Sequence, residues 1–122
     1  MIGLLDYGMG NLSSVTNALD YLGIENKIVN RPNDFLNIDR LIIPGVGSYS
    51  KAIENIKANQ YYNLIKEFDL SGKPILGICL GMQLLSFTGT EPSLVEGLKI
   101  IKGEVTIFPN NIGLRIPHVG WN

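Results

Sequence analysis

Lys73-Pro74-Ile75-Leu76-Gly77-Ile78-Cys79-Leu80-Gly81-Met82-Gln83-Leu84-Leu85 is the stretch on which the reading of the whole chain turns. A short apolar run behind a proline, bounded by a glycine turn signal, has the length of a buried parallel strand. Residues 82–87 follow as a predicted helix. Between the two stands Gly77-x-Cys79-x-Gly81, the spacing of a nucleophile elbow with cysteine in the nucleophile's place. Such an elbow holds its nucleophile in a strained backbone conformation, and the flanking positions pack too close to neighbouring backbone to carry a Cβ. Cys79 is therefore expected at the carboxyl edge of the sheet, where open α/β folds place their ligands. The Leu80 N–H is expected to point where an oxyanion would form. A lone cysteine among apolar residues is usually an inert core residue. The glycine spacing, with a strand before it and a helix after it, is what argues for chemistry.

Upstream, residues 2–7 are a short apolar run ending in Asp6-Tyr7-Gly8-Met9-Gly10-Asn11, a first strand running into a glycine-rich turn. Asn11 can cap the next helix, where Leu12, Val15, Leu19 and Leu22 recur at helical spacing until Gly23 stops it. A dinucleotide fingerprint is not formed, because Ser13 stands where the third glycine belongs. Lys27-Ile28-Val29 reads as a second, edge strand, followed by a polar connection and a weak helical turn. Residues 40–43 repeat the pattern of strand and glycine turn with Pro44-Gly45-Val46-Gly47, a loop able to offer bare backbone N–H groups to an anion.

Residues 49–68 read as mostly helical, with Ala52, Ile53 and Ile56 on one face and Tyr61, Leu64, Ile65 and Phe68 on a later one. Past the elbow helix, residues 88–95 read as loop. Residues 99–101, 104–108 and 114–117 read as short strands punctuated by Gly103, Pro109-Asn110-Asn111 and Gly113.

Composition narrows the function classes. At 122 residues the chain is expected to form one domain, 1–122, and 45% hydrophobic residues mark ordinary globular material. Ten basic against eleven acidic residues suggest neither a nucleic-acid footprint nor a polybasic membrane patch. One cysteine and one histidine are too few for a disulfide or a structural zinc site, so no metal or cofactor is expected and the compartment is expected to be reducing, hence cytoplasmic. The N-terminus lacks a positive leader and no run approaches membrane-spanning length, so neither a signal peptide nor a membrane span is expected.

Four pieces of the sequence resemble the class I, triad-type glutamine amidotransferases: residues 6–12, 44–47, 77–85 and Pro117-His118-Val119-Gly120-Trp121-Asn122, in family order. The first and last are similar to the branch whose glutaminase subunit pairs with a (β/α)8-barrel cyclase in histidine biosynthesis. The resemblance implies a flavodoxin-like open, mostly parallel sheet with helices on both faces, incomplete at the C-terminus. It implies Cys79 as the nucleophile toward the side-chain amide of L-glutamine. Val46 or Gly47 would join Leu80 as oxyanion donors, and Gly45, Gly47, Leu80 and Gln83 would hold the glutamine. Gly10, Asn11, His118, Gly120, Trp121 and Asn122 would face the cyclase in a heterodimer, with ammonia passing into the barrel.

One departure bears on mechanism. The family's catalytic histidine lies far beyond the elbow in a His-Pro-Glu or similar motif, which these residues do not contain, and His118 belongs to the partner-facing piece. The 122 residues are therefore expected to be inactive by the usual triad. Two other functions fit the same residues: a glutaminase subunit donating ammonia to a surface-polysaccharide sugar, and a non-catalytic partner-binding fragment.

Overall fold

The computed structural model describes residues 1–111, 113, 115 and 116. Four short strands form an all-parallel sheet: β1 (Ile2–Leu5), β2 (Asn26–Val29), β3 (Arg40–Ile43) and β4 (Ile75–Gly77), in the order β2-β1-β3-β4. Side chains alternate across a strand, so consecutive apolar residues feed opposite layers. Leu5, Leu41 and Ile43 enter the larger core, while Leu4 and Ile42 enter a smaller one on the other face. The smaller core is closed by α1 (Leu12–Tyr21) through Leu19, Leu12 and Val15. The larger is closed by α2 (Tyr49–Ala58), α3 (Tyr61–Leu70) and α4 (Leu80–Leu84). Helices thus lie on both faces of the sheet, as expected.

Local chemistry sets the ends of these elements. The Asn11 side chain caps α1 by accepting from the Ser14 N–H at 3.1 Å. The helix closes at Gly23, at φ +67°, with the Ile24 N–H bonded to the Leu19 carbonyl at 2.9 Å. That reversal leaves Leu22 66% exposed, so it drops out of the apolar face expected for it. The 49–68 helical region is two helices, because Gln60 takes a left-handed conformation at φ +63° and breaks the run.

A 3-10 turn, Pro32–Asn37, links β2 to β3 and is held by Asp34. The Asp34 carboxylate accepts from the Asn30 and Arg31 N–H groups at 3.2 and 3.1 Å and meets Lys27 Nζ at 3.3 Å. Burial pushes its pKa up, but the Asn30 N–H bond and the Lys27 and Arg31 charges outweigh it and hold the carboxyl below its usual range. A depressed folded pKa stabilises the fold above the usual carboxylate range, and that contribution disappears as pH falls through the folded value. Asp34→Asn is accordingly expected to lower the thermal midpoint at pH 7, with the gap to the unsubstituted chain closing as pH drops below the carboxylate range. Melting curves across a pH series read this directly.

Beyond the elbow the structure departs from the sequence reading. The helix expected over 82–87 ends at Leu84, and Ser86–Gly89 is a strand, β5, where Thr88 had been expected to open a loop. The cause is a returning segment. The Leu98, Ile100 and Ile101 N–H groups take the Leu84 and Leu85 carbonyls, and Lys99 and Gly97 take those of Ser86 and Phe87. With these acceptors occupied from outside, the helix cannot propagate.

β5 pairs antiparallel with β6 (Val95–Glu96) and parallel with β7 (Ile101–Val105) in a second, three-stranded sheet. Gly103 does not end a strand as expected. It sits inside β7 at φ +150°, opposite the register shift between Ser86 and Thr88, which is the signature of a bulge. Residues 106–108 lie outside any strand, and so do Arg115 and Ile116 of the strand expected over 114–117. Leu114 and Pro117 fall outside the described residues. The second sheet is pinned by Tyr49, fully buried, whose hydroxyl meets Ser86 Oγ at 3.0 Å while Gly89 and Gly97 leave room for its ring and hydroxyl.

Candidate active site

The carboxyl ends of β1, β3 and β4 converge on one place, and the three glycine-rich turns that leave them meet there. The elbow is the most constrained of the three. Cys79 adopts φ +55° and ψ −120°, a region that L residues with a Cβ enter only under strain. It holds there because its surroundings are packed backbone. A Cβ on Gly77 would lie 2.5 Å from Met82 Cα and 2.6 Å from Met82 N. A Cβ on Gly81 would overlap the Ile43 carbonyl oxygen and lie 2.6 Å from its carbon. The two glycines of the sequence signature are thus the points where α4 folds back onto its own strand and onto β3.

The hydrogen bonds follow from this geometry. The Ile78 N–H continues the sheet by bonding the Ile43 carbonyl at 2.9 Å. Gly81 N–H turns back to the Ile78 carbonyl, and Met82 and Gln83 N–H to that of Cys79. Among the described residues no acceptor is bonded to the Leu80 N–H. The Cys79 thiol is free and exposed. β4 is not the buried strand expected from the sequence. It forms an edge of the sheet among the described residues, with Leu76 56% exposed.

The 44–47 loop seats directly on the elbow. Gly45 is buried, and a Cβ there would lie 3.0 Å from Leu80 Cβ and 3.1 Å from Gly81 N. It packs there against Leu80, Gly81 and the Tyr7 hydroxyl. Val46 and Gly47 are exposed, Gly47 at φ +114°. Gln83, one turn past Cys79 on α4, is half-buried, and its carboxamide has no hydrogen-bond partner among the described residues. The contact of Gly45 with Leu80 and Gly81 sets the 44–47 loop beside the residues that follow Cys79.

The first turn supplies contacts that sequence reasoning missed. Tyr7 is 2% exposed, and its hydroxyl donates to the Pro44 carbonyl at 2.6 Å. Burial, and secondly the nearby Cys79 charge, push the Tyr7 hydroxyl far above the usual phenol range, so it remains a protonated donor. Met9 Cε occupies the space that a Cβ on Gly47 would need, and Gly10 packs on the Pro44 ring. The only available signal was Tyr7 itself, a large polar-tipped aromatic at the end of an apolar strand. Asn11, expected at the partner face, is exposed with its side-chain oxygen occupied by the α1 cap. His118, Gly120, Trp121 and Asn122 lie outside the described residues.

A cysteine presented on a strained strand-to-helix turn, with a glycine loop from the neighbouring strand packed against it, makes this an elbow-type α/β protein. Comparison with known families makes the assignment specific: the chain belongs to the family described as glutamine amidotransferase class-I, whose model matches residues 3–115. It is similar over its whole length to the imidazole glycerol phosphate synthase subunit HisH 1 of Campylobacter jejuni (strain 81-176), at 47% identity and 61% of that protein's length. The HisH subunit of Caldanaerobacter subterraneus is 49% identical, with 59% of its length covered. The chloroplastic hisHF protein of Arabidopsis thaliana is 43% identical over the whole chain, which covers 21% of that protein. A crystal structure described as a glutamine amidotransferase superposes with a TM-score of 0.76 at 22% identity, covering 94% of this chain and 59% of the other, and shares the fold. The chain spans about 60% of the length of the HisH relatives.

Proposed function

We propose that this chain carries the nucleophile and oxyanion elements of a glutaminase subunit that releases ammonia from L-glutamine for a (β/α)8-barrel cyclase in histidine biosynthesis. The observation that carries the proposal is the exposed thiol at φ +55° with the 44–47 loop packed against Leu80 and Gly81. The likeness to the HisH subunits along the whole chain supports the choice of substrate and partner. In this reading Cys79 Sγ attacks the side-chain amide carbon of glutamine. The C–N bond breaks, the nitrogen leaves as ammonia with the thiol's proton, and a γ-glutamyl thioester remains. Water then cleaves the thioester to glutamate and restores the thiol. An amide is a poor electrophile, and the covalent intermediate divides one hard step into two.

The negative oxygen of each tetrahedral intermediate falls to the Leu80 N–H and to the Val46 or Gly47 N–H, each donor worth about 3 kcal/mol at the transition state. Gly45, Gly47, Leu80 and Gln83 hold the glutamine. Gly10, Asn11, His118, Gly120, Trp121 and Asn122 form the cyclase-facing side of a cytoplasmic heterodimer. His118 belongs to that side and is not read as the proton-transfer base.

Two measurements test the reading. The complete gene product mixed with a barrel cyclase is expected to form imidazole glycerol phosphate from glutamine, whereas residues 1–122 with the same cyclase are expected to release no ammonia. A diazo-ketone glutamine analogue is expected to label Cys79 selectively in the complete product. Turnover by the 122 residues would refute the assignment of His118, and labelling elsewhere would refute that of Cys79.

A further inference from the structure

We infer that the Tyr7–Gly10 turn holds the 44–47 loop in register with the elbow, and that Tyr7 is a positioning residue for the oxyanion donor this loop supplies. The inference rests on the glutaminase reading for its catalytic consequence and on geometry alone for its structural one. Three of the four loop residues are met by this one turn. The Tyr7 hydroxyl holds the Pro44 carbonyl at 2.6 Å, Gly10 lies against the Pro44 ring at 3.2 Å from where its Cβ would be, and Met9 Cε fills the side of Gly47. Gly45 completes the fit, since any side chain there would displace the Tyr7 hydroxyl. The loop has a glycine at each point where the turn or the elbow comes closest.

The anchor divides the loop. A bonded Pro44 carbonyl fixes the peptide plane that it shares with the Gly45 N–H. Among the described residues the next two peptides, which carry the Val46 and Gly47 N–H groups, have no such tie, and both residues are exposed. Tyr7 therefore sets the pivot about which those two donors are aimed. Tyr7 is buried with its hydroxyl spent on the Pro44 carbonyl, so its loss should misplace a donor without removing the nucleophile. A buried tyrosine that merely filled the core would not distinguish these steps.

The test compares Tyr7→Phe with the unsubstituted complete gene product in complex with the cyclase. Hydrogen exchange is expected to rise at the 45–47 amides in Tyr7→Phe and to stay unchanged in α2 and α3. For glutamine, kcat is expected to fall by about 10- to 100-fold with KM within about twofold, as for loss of a transition-state-only donor. Alkylation of Cys79 by iodoacetamide, which forms no oxyanion, is expected to keep its rate. Met9→Ala, at a half-buried position, is expected to raise exchange at Gly47 alone. Unchanged exchange at 45–47 in Tyr7→Phe overturns the inference, as does a kcat and an alkylation rate that fall together. If the unsubstituted complex turns over no glutamine, the glutaminase reading fails, and exchange still decides the anchor.

Discussion

Cys79→Ala in the complete gene product, assayed with the cyclase, is expected to lower glutamine turnover by about 10,000-fold or more, since the covalent route runs through its thiol. The same substitution should leave the thermal midpoint nearly unchanged, because the thiol is exposed and alanine keeps the Cβ that strains the turn. Cys79→Gly separates the two properties. It is equally inactive, yet it removes the Cβ from a residue at φ +55° and is expected to stabilise the protein by about 1 kcal/mol, the relief of strain less the added freedom of glycine in the unfolded chain. Steady-state ammonia release and urea unfolding of the three proteins read both effects. A glycine variant less stable than the alanine one would mean that the elbow stores no strain.

Gly81→Ala is expected to be the most damaging single-methyl change to the fold. The new Cβ would overlap the Ile43 carbonyl oxygen and lie 3.1 Å from that of Pro44, and both are backbone atoms with no rotamer to move. Either α4 lifts from the end of β3 or the β3–β4 rung through Ile78 breaks. A loss of about 3–5 kcal/mol follows from overpacking together with a broken buried hydrogen bond. That is a large share of the roughly 5–15 kcal/mol by which domains are stable. Gly23→Ala is the control. Gly23 has φ +67° but nothing within 4 Å of its would-be Cβ, so its cost is only the backbone term of about 1 kcal/mol. Unfolding midpoints in urea distinguish the two, and equal losses would show that the elbow's close packing is not what makes Gly81 necessary.

The elbow was legible in the sequence because its constraint is local. Three residues of fixed type at fixed spacing are what a strand-to-helix reversal requires, and Gly77, Cys79 and Gly81 stand where that requirement puts them. Most of the parallel sheet was legible for a similar reason: the short apolar runs of β1, β3 and β4 lead into glycine turns and are separated by helical segments, which leaves little choice of topology. The second sheet was not. Whether residues 86–89 continue α4 or become β5 is decided by N–H groups of residues 97–101, ten or more positions from their acceptors, and no local propensity of Ser-Phe-Thr-Gly carries that information.

The same distinction separates the parts of the candidate site. Glycines flanking a nucleophile announce themselves, whereas Tyr7 reads as the last apolar residue of a strand until the Pro44 carbonyl is found against its hydroxyl. The exposed edge at β4 was missed for a further reason. An apolar run of strand length says that a residue is apolar, not that something covers it, and Leu76 is 56% exposed.

If Cys79 opens glutamine through a covalent intermediate, acid-quenched mass spectrometry of the working complex will capture it. With glutamine present at steady state, the peptide spanning the elbow is predicted to carry one γ-glutamyl group on Cys79, and to lose it on treatment with hydroxylamine. A peptide that stays unmodified while ammonia is released, or a glutamyl group found on any other residue, would contradict the account.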